Sequence, residues 1–293
     1  MRAWVRLAVA GAFLALVASA AAVSRGSDRI VFVTNHLCGG RQVDCGRAEI
    51  ATVRADGSGV TILTRNAVSE ASPAWSPNGA QIAYFRPAGR SQAGQVWLMN
   101  VDGSHQRQLT HLNGVQFYGD LDWAPNGRSL VIKAFASTLG GSTELWIVNA
   151  SSGKVSPLTR TMVGEGAPSW SPNGRWIAFS SEGRLQANRI WRLSVATKRM
   201  VPLTAAPAAV YPSWSPDSRQ IVFTLGGRLA LMNADGSHRH VLRLFGTRPH
   251  WSPDGGWLVY VANGDLFKAR PDGSGRMQLT HHGKLTVNDQ PDW

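Results

Sequence analysis

The chain has 293 residues, 43% of them hydrophobic, and carries a formal net charge of +12 at pH 7. This apolar content excludes an intrinsically disordered protein, and the length allows one or two domains. The positive charge would attract an anionic lipid, a cell-wall polymer or an acidic protein. An arginine-rich composition coded by GC-rich DNA would produce the same charge without any partner.

The N-terminus has the features of a secretory signal peptide. Two arginines within the first six residues precede the apolar run 7–17, and the small residues 18–22 follow. This order predicts cleavage near the end of 1–22, and the run is short for a membrane span. Retained uncleaved, the same segment would anchor the protein to the membrane. We therefore expect an exported mature chain, 23–293, in the periplasm or outside the cell, where nucleic acid is not an expected partner.

Export favours a disulfide bond between the two cysteines, Cys38 and Cys45. Six residues separate them in a glycine-rich stretch, and an oxidising compartment allows such a pair to form a bond. A loop of this size would contribute about 2–3 kcal/mol to stability. The alternative is a metal site, for which only His36 and Asp44 lie nearby in the sequence.

A repeated motif, Pro-x-Trp-Ser-Pro-(Asn/Asp)-Gly, predicts the fold. Its tryptophans, including that of a shortened sixth copy at the C-terminus, are Trp75, Trp123, Trp170, Trp214, Trp251 and Trp293. Successive copies lie 37 to 48 residues apart, which is the length of one four-stranded blade of a β-propeller. One tryptophan per blade at a fixed position suits packing between neighbouring blades rather than stacking on a ligand.

Each copy continues into three more predicted strands. The apolar triplets 82–84, 130–132, 177–179, 221–223 and 258–260 follow tight turns. Four of these turns contain Asn-Gly or Asp-Gly, which tolerate positive φ, whereas Asp217-Ser218 predicts a strained or altered turn. A third strand and a fourth that ends in Leu-Thr complete most blades.

The two termini are expected to share one blade. The N-terminal segments 29–32, 50–53 and 61–64 match the second, third and fourth strands of the repeat, and 291–293 supplies the missing first strand. The predicted fold is therefore all-β: a six-bladed β-propeller of four-stranded antiparallel blades. Pairing of the N- and C-terminal strands closes the ring and removes an open sheet edge.

These motifs resemble the TolB-type propeller repeat, in which Pro-x-Trp-Ser-Pro-Asp-Gly is followed by Ile-Ala-Phe, Asp-Gly and Leu-Thr. The resemblance covers 28–293 and implies a ring with a central channel, which in that family acts mainly as a docking platform for envelope proteins. The same repeat precedes the hydrolase domain of prolyl-oligopeptidase-like enzymes, and a related propeller occurs in oligogalacturonate lyases. We expect neither the α/β domain of periplasmic TolB nor a hydrolase domain here, and no Gly-x-Ser-x-Gly motif occurs.

Binding is expected at the channel mouth, on the loops that join the fourth strand of one blade to the first strand of the next. The residues predicted to contact a partner there are Glu70, His111, Phe117, Tyr118, Asp120, Glu165, Tyr211, Arg248, His282 and Asp289. Phe117 and Tyr118 either form an exposed recognition surface or cover the end of a blade. The acidic residues either rim the channel or accept backbone hydrogen bonds within the loops.

Two functions are compatible with this sequence. The first is a non-catalytic monomer, without cofactor or metal, that docks an envelope protein or an anionic wall or lipid component and associates peripherally with the membrane. The second is a lyase or hydrolase acting on an anionic polysaccharide, with a metal site drawn from His111, His250, His281 and His282. Because no catalytic motif is found, the first function is favoured, although fold alone does not separate the two.

Overall fold

The computed structural model describes residues 28–35, 48–66, 68–87, 94–111, 115–136, 142–161, 164–181, 188–205, 208–281 and 288–293. The predicted signal peptide, the Cys38–Cys45 disulfide and His282 lie outside the described residues, as does the side chain of Tyr118. No helix that could cross a membrane occurs in the described part of the chain.

The described residues form 24 β-strands in antiparallel sheets. In chain order these are β1 (Arg29–Thr34), β2 (Glu49–Arg54), β3 (Thr61–Ile62), β4 (Ala71–Trp75), β5 (Gln81–Pro87), β6 (Gly94–Asn100), β7 (Arg107–Gln108), β8 (Val115–Trp123), β9 (Ser129–Ala136), β10 (Thr143–Asn149), β11 (Val155–Pro157), β12 (Glu165–Trp170), β13 (Trp176–Ser181), β14 (Arg189–Ser194), β15 (Met200–Pro202), β16 (Ala209–Trp214), β17 (Gln220–Leu225), β18 (Arg228–Asn233), β19 (His240–Phe245), β20 (Thr247–Trp251), β21 (Leu258–Ala262), β22 (Asp265–Ala269), β23 (Met277–Gln278) and β24 (Asn288–Asp292).

These strands make six blades of four, so the predicted propeller is confirmed. Blades 1 to 5 take consecutive strands, β4–β7, β8–β11, β12–β15, β16–β19 and β20–β23. Blade 6 has the order β24-β1-β2-β3, in which the C-terminal strand pairs with the N-terminal one. Blades 1 and 2 are further joined by one pair, Gly94 with Phe117, because β8 extends towards β6 of the preceding blade.

Hairpin turns after the first strands explain the register of blades 1 to 5. Gly79, Gly127, Gly174 and Gly255 adopt φ between 66° and 73°, the left-handed region that glycine enters without steric cost. Ser218 occupies the same position in blade 4 with φ 62°, and its N–H donates to the Ser215 carbonyl at 2.8 Å. The expected irregularity at this turn is therefore a strained residue in an otherwise unchanged turn.

The hydrophobic core lies between the blades. Six apolar clusters are formed by the described residues, and each joins two neighbouring blades. One of them places Val31 and Ile50 of blade 6 against Trp75 and Tyr84 of blade 1, which completes the circle. Each repeat tryptophan packs in the cluster between its own blade and the preceding one. The first strands of the blades surround the channel.

Candidate functional site

The narrow end of the channel is formed by a ring of six left-handed residues that are not glycine. They have φ between 47° and 54°, one in each first strand and always three positions before the repeat tryptophan: Ser72, Asp120, Ala167, Tyr211, Arg248 and Gln290. The pairing register with the neighbouring strand shifts beside each of them, as at a β-bulge. Such a conformation costs a non-glycine residue about 1–2 kcal/mol, and such strain clusters at functional sites.

Hydrogen bonds between blades hold part of this ring. The Ser72 N–H donates to Gln290 Oε1 at 2.5 Å, the Asp120 N–H to Ser72 Oγ at 2.9 Å, and the Ala167 N–H to Asp120 Oδ2 at 3.2 Å. In each case, the acceptor is the ring residue of the preceding blade. In these three steps, the side chain of one ring residue accepts from the strained backbone of the next blade.

A second layer of carboxylates lies two residues further along the first strands. The Trp75 N–H donates to Asp292 Oδ2 at 2.7 Å, and the Trp170 N–H to Asp122 Oδ2 at 2.6 Å. His250 Nδ1 lies 3.1 Å from Asp292 Oδ1. Asp122 and Asp292 thus connect blade 2 to blade 3 and blade 6 to blade 1.

Arg248 extends across the narrow end of the channel. Its Nε lies 3.1 Å from Asp289 Oδ1 in the next blade, and its guanidinium carbon lies 4.2 Å from the centre of the Tyr211 ring in the preceding one. Its Nη1 lies 3.9 Å from Asp120 Oδ1, which belongs to blade 2, opposite blade 5 in the ring. Four blades therefore meet at one half-buried guanidinium, above a cavity of about 70 Å³.

The opposite end of the channel is wider. A cavity of about 1300 Å³ is lined there by five of the repeat tryptophans and by five prolines of the motif turns. The indole rings themselves are mostly buried between blades; Trp214, for example, is 4% exposed. This end therefore presents ring edges, prolines and turn residues rather than open aromatic faces.

Four of the predicted contact residues lie together at the narrow end: Asp120, Tyr211, Arg248 and Asp289. His111 is exposed beside Gln108, whose Nε2 lies 3.0 Å from His111 Nδ1. Sequence reasoning missed Ser72, Ala167, Gln290, Asp122 and Asp292. Their constant position before a repeat tryptophan could have indicated them: Ser72, Ala167 and Gln290 lie three residues before one, and Asp122 and Asp292 lie one residue before one.

Phe117, in contrast, is fully buried and does not form part of a surface. Its ring packs edge-on against Phe85, with centroids 4.9 Å apart, within the cluster between blades 1 and 2. Its side chain therefore packs between two blades instead of forming an exposed recognition surface.

Glu70 and Glu165 are also fully buried, and neither lines the two channel cavities described above. Each accepts a hydrogen bond from the threonine two residues after the fourth strand of the preceding blade, Thr64 for Glu70 and Thr159 for Glu165. Glu70 further pairs with Arg86, at 2.9 Å from Nη2 to Oε1. Burial, opposed in part by hydrogen bonds, raises the pKa of Glu165 to about 7. These two residues therefore differ from the expected rim carboxylates and stabilise the packing of blades.

Among the described residues, no three His, Cys, Asp or Glu side chains come close enough together to hold a metal ion. His250 lies in the channel, whereas His281 is exposed, and His282 falls outside the described chain.

Comparisons with known proteins agree with this architecture. The structure of TolB from Acinetobacter baumannii superposes with a TM-score of 0.75 at 20% identity, covering 92% of this chain and 67% of that one. An oligogalacturonate lyase from Vibrio parahaemolyticus superposes with a TM-score of 0.60 at 12% identity, covering 89% of this chain and 76% of that one. At these identities, the likeness shows the fold alone.

Sequence similarity reaches the same family. The Tol-Pal system protein TolB of Zymomonas mobilis is 37% identical over 81 residues, which are 27% of this chain and 17% of that protein. The match thus spans less than a fifth of that relative's length. The family model of the TolB β-propeller domain matches residues 22–293. The chain therefore belongs to the TolB β-propeller domain family.

Proposed function

We propose that this protein is an exported, non-catalytic propeller that docks an envelope protein through the narrow end of its channel. The observation that supports this most is the convergence of Asp120, Tyr211, Arg248 and Asp289 from four blades. Arginine and tyrosine are enriched among the residues that dominate binding energy in protein interfaces. The backbones of Asp120 and Arg248 are held by hydrogen bonds to the preceding blade, so this part of the surface is preorganised and loses little entropy on binding.

Export, periplasmic or extracellular location and a monomeric state belong to the same proposal. Their support is the signal-like N-terminus, the TolB relatives and a ring whose blades pack against one another. The net charge of +12 would also favour peripheral contact with an anionic membrane or wall polymer on the outer surface. A partner at the narrow end and an anionic surface outside the ring are compatible with each other.

A pull-down from envelope extract with two charge-matched variants tests the docking site. Arg248→Glu reverses the charge at the narrow end, and Arg243→Glu makes the same change on the exposed edge strand β19. Both lower the net charge by two, so any non-specific attraction weakens equally. We expect the wild type and Arg243→Glu to retain the same protein partner and Arg248→Glu to lose it.

Three outcomes would contradict the proposal. Equal loss in both variants would assign binding to the overall positive charge, and its sensitivity to salt would then identify an anionic polymer or lipid. Retention in both would remove the narrow end from the interface. Depolymerisation of polygalacturonate by the purified protein would overturn its non-catalytic part and favour the polysaccharide-acting enzyme.

A further inference from the structure

One ring residue lacks the side-chain acceptor that the others have. The backbone N–H of each of the other five donates to a side-chain oxygen, at 2.5 to 3.2 Å; the acceptors are Gln290, Ser72, Asp120, Thr224 and Asp289. No side-chain oxygen of the described residues accepts a hydrogen bond from the Tyr211 N–H. The ring is therefore incomplete between blades 3 and 4.

The cause is the residue at position 167. In the three steps from blade 6 to blade 3, the acceptor belongs to the ring residue of the preceding blade. Blade 3 has Ala167 at this position, and a methyl group accepts no hydrogen bond. The small side chain also leaves space, because Ala167, Tyr211 and Arg248 all line the cavity of about 70 Å³.

Two of the groups around this space are donors. One is the Tyr211 N–H. The other is the Arg248 guanidinium, which lies over the Tyr211 ring and makes its close ion pair through Nε, to Asp289. Arg248 Nη1 is 3.9 Å from Asp120 Oδ1, too far for a direct hydrogen bond. A backbone N–H and a guanidinium that border the same cavity favour a carboxylate between them.

Three aspartates also line this cavity, Asp120, Asp122 and Asp292, but their charges already have partners. Asp122 accepts from the Trp170 N–H, and Asp292 accepts from the Trp75 N–H and faces His250. Asp120 accepts from the Ala167 N–H and lies 4.0 Å from Lys133 Nζ. Asp289 accepts from the Gln290 N–H and pairs with Arg248. The +12 net charge of the whole chain also favours the approach of an acidic segment.

We propose that the space between Ala167, Tyr211 and Arg248 binds an aspartate or glutamate side chain of the partner protein. The carboxylate accepts from the Tyr211 N–H and from Arg248, and so completes the ring of hydrogen bonds at blade 4. This inference rests on the proposed docking function and specifies which chemical group of the partner enters the channel.

The test uses the ¹⁵N-labelled protein and two small probes that differ only in charge. N-acetyl-glutamate α-amide carries the carboxylate, and N-acetyl-glutamine amide is its neutral control. Titration is followed through the backbone resonance of Tyr211. We expect a saturable shift with the glutamate probe and at least about tenfold weaker binding of the glutamine probe, as a charged hydrogen bond requires.

Two variants and a control locate the site. Ala167→Ser supplies the missing hydroxyl at the position that Ser72 has in blade 1, so it should raise the melting temperature and weaken the glutamate probe at least about tenfold. Arg248→Met keeps most of the apolar stem and should weaken the probe to a similar extent. Arg243→Met on β19 should leave its binding unchanged.

Equal binding of the two probes, or no saturable shift at Tyr211, would overturn the inference. Unchanged binding in Ala167→Ser would also overturn it, because this variant keeps Arg248 and fills only the proposed space. Failure of this inference and failure of the docking function are distinguishable. A partner captured through Arg248 without carboxylate binding would overturn the inference and leave docking intact. Carboxylate binding without a captured partner would leave the carboxylate site intact and overturn docking.

Discussion

Glu165 and Glu70 occupy equivalent positions, five residues before a repeat tryptophan, yet their replacement by glutamine should have opposite effects. Both side chains are fully buried. Glu70 faces Arg86, which lies eleven residues after Trp75, whereas the corresponding residue of blade 3 is Ser181. The charge of Glu70 is thus balanced by a cation that Glu165 lacks at this position.

The magnitude for Glu165 follows from its pKa. Burial raises the pKa from an ordinary value of 4.5 to about 7, so the folded state binds more protons than the unfolded state between these two values. Stability contributed by this group is therefore greatest below pH 4.5, declines as pH rises, and reaches its minimum above about pH 7. The full difference is about 3 kcal/mol, from 1.36 kcal/mol per pKa unit.

The variant Glu165→Gln removes this titration, because the amide is neutral throughout. We expect little difference from the wild type at pH 4.5 and a variant more stable by up to about 3 kcal/mol at pH 8. Glu70→Gln leaves Arg86 without its buried counter-charge and should lose about 3 kcal/mol at pH 8.

Urea denaturation followed by tryptophan fluorescence at pH 4.5, 6, 7 and 8 measures both variants. The quantity of interest is the difference in unfolding free energy from the wild type at each pH. Glu49, whose pKa is also raised by burial, contributes equally to the wild type and to Glu165→Gln, so it cancels there. In Glu70→Gln it does not cancel, because the charge of Glu70 is one cause of the raised Glu49 pKa. A Glu165→Gln difference that stayed constant across this range would refute the reasoning. Destabilisation of both variants to the same extent at pH 8 would refute the distinction from Glu70.

Three further changes test the packing of the ring. Trp214→Ala should lower the unfolding free energy by about 3–5 kcal/mol in urea denaturation, whereas Phe245→Ala, at a residue that is 64% exposed, should change it by less than about 0.5 kcal/mol; equal effects would contradict the interblade role of the tryptophan. Gly153→Ala should destabilise more than Gly127→Ala, since both have φ near 67° but only the first new methyl would clash with the Leu109 carbonyl; equal melting temperatures would show that this approach is not tight. Deletion of 289–293 removes most of β24 and should lower the melting temperature strongly and increase light scattering, as β1 becomes an open edge; a truncated chain that melted like the intact one would refute closure.

The fold was predictable because its signals repeat. Asn-Gly turns, apolar triplets and tryptophans recur at nearly constant spacing, so an error in one copy is corrected by the others. The missing Pro-x-Trp motif before 29–32 even indicated the pairing of β24 with β1. At Asp217-Ser218, the deviating residue predicted local strain without displacing the turn.

The candidate site was less predictable because its defining property is a backbone conformation. Ser72, Asp120, Ala167, Tyr211, Arg248 and Gln290 share φ near 50° but no side-chain chemistry. Tertiary packing of six blades around one axis selects this conformation, and residue type alone does not reveal it. The burial of Phe117 and Glu165 likewise depends on the neighbouring blade, which is distant in sequence.

Site-specific photo-crosslinking tests most directly whether the narrow end of the channel is the docking surface. Benzoyl-phenylalanine in place of Tyr211 keeps an aromatic ring beneath Arg248, and the same residue in place of Phe245 samples the exposed outer edge of blade 4. Irradiation should link the Tyr211 variant to one envelope protein and should leave the Phe245 variant unlinked. An excess of the wild-type protein, which lacks the crosslinker, should compete with the Tyr211 variant and reduce its adduct. A partner captured only at Phe245, or no competed adduct at Tyr211, would contradict docking at the narrow end.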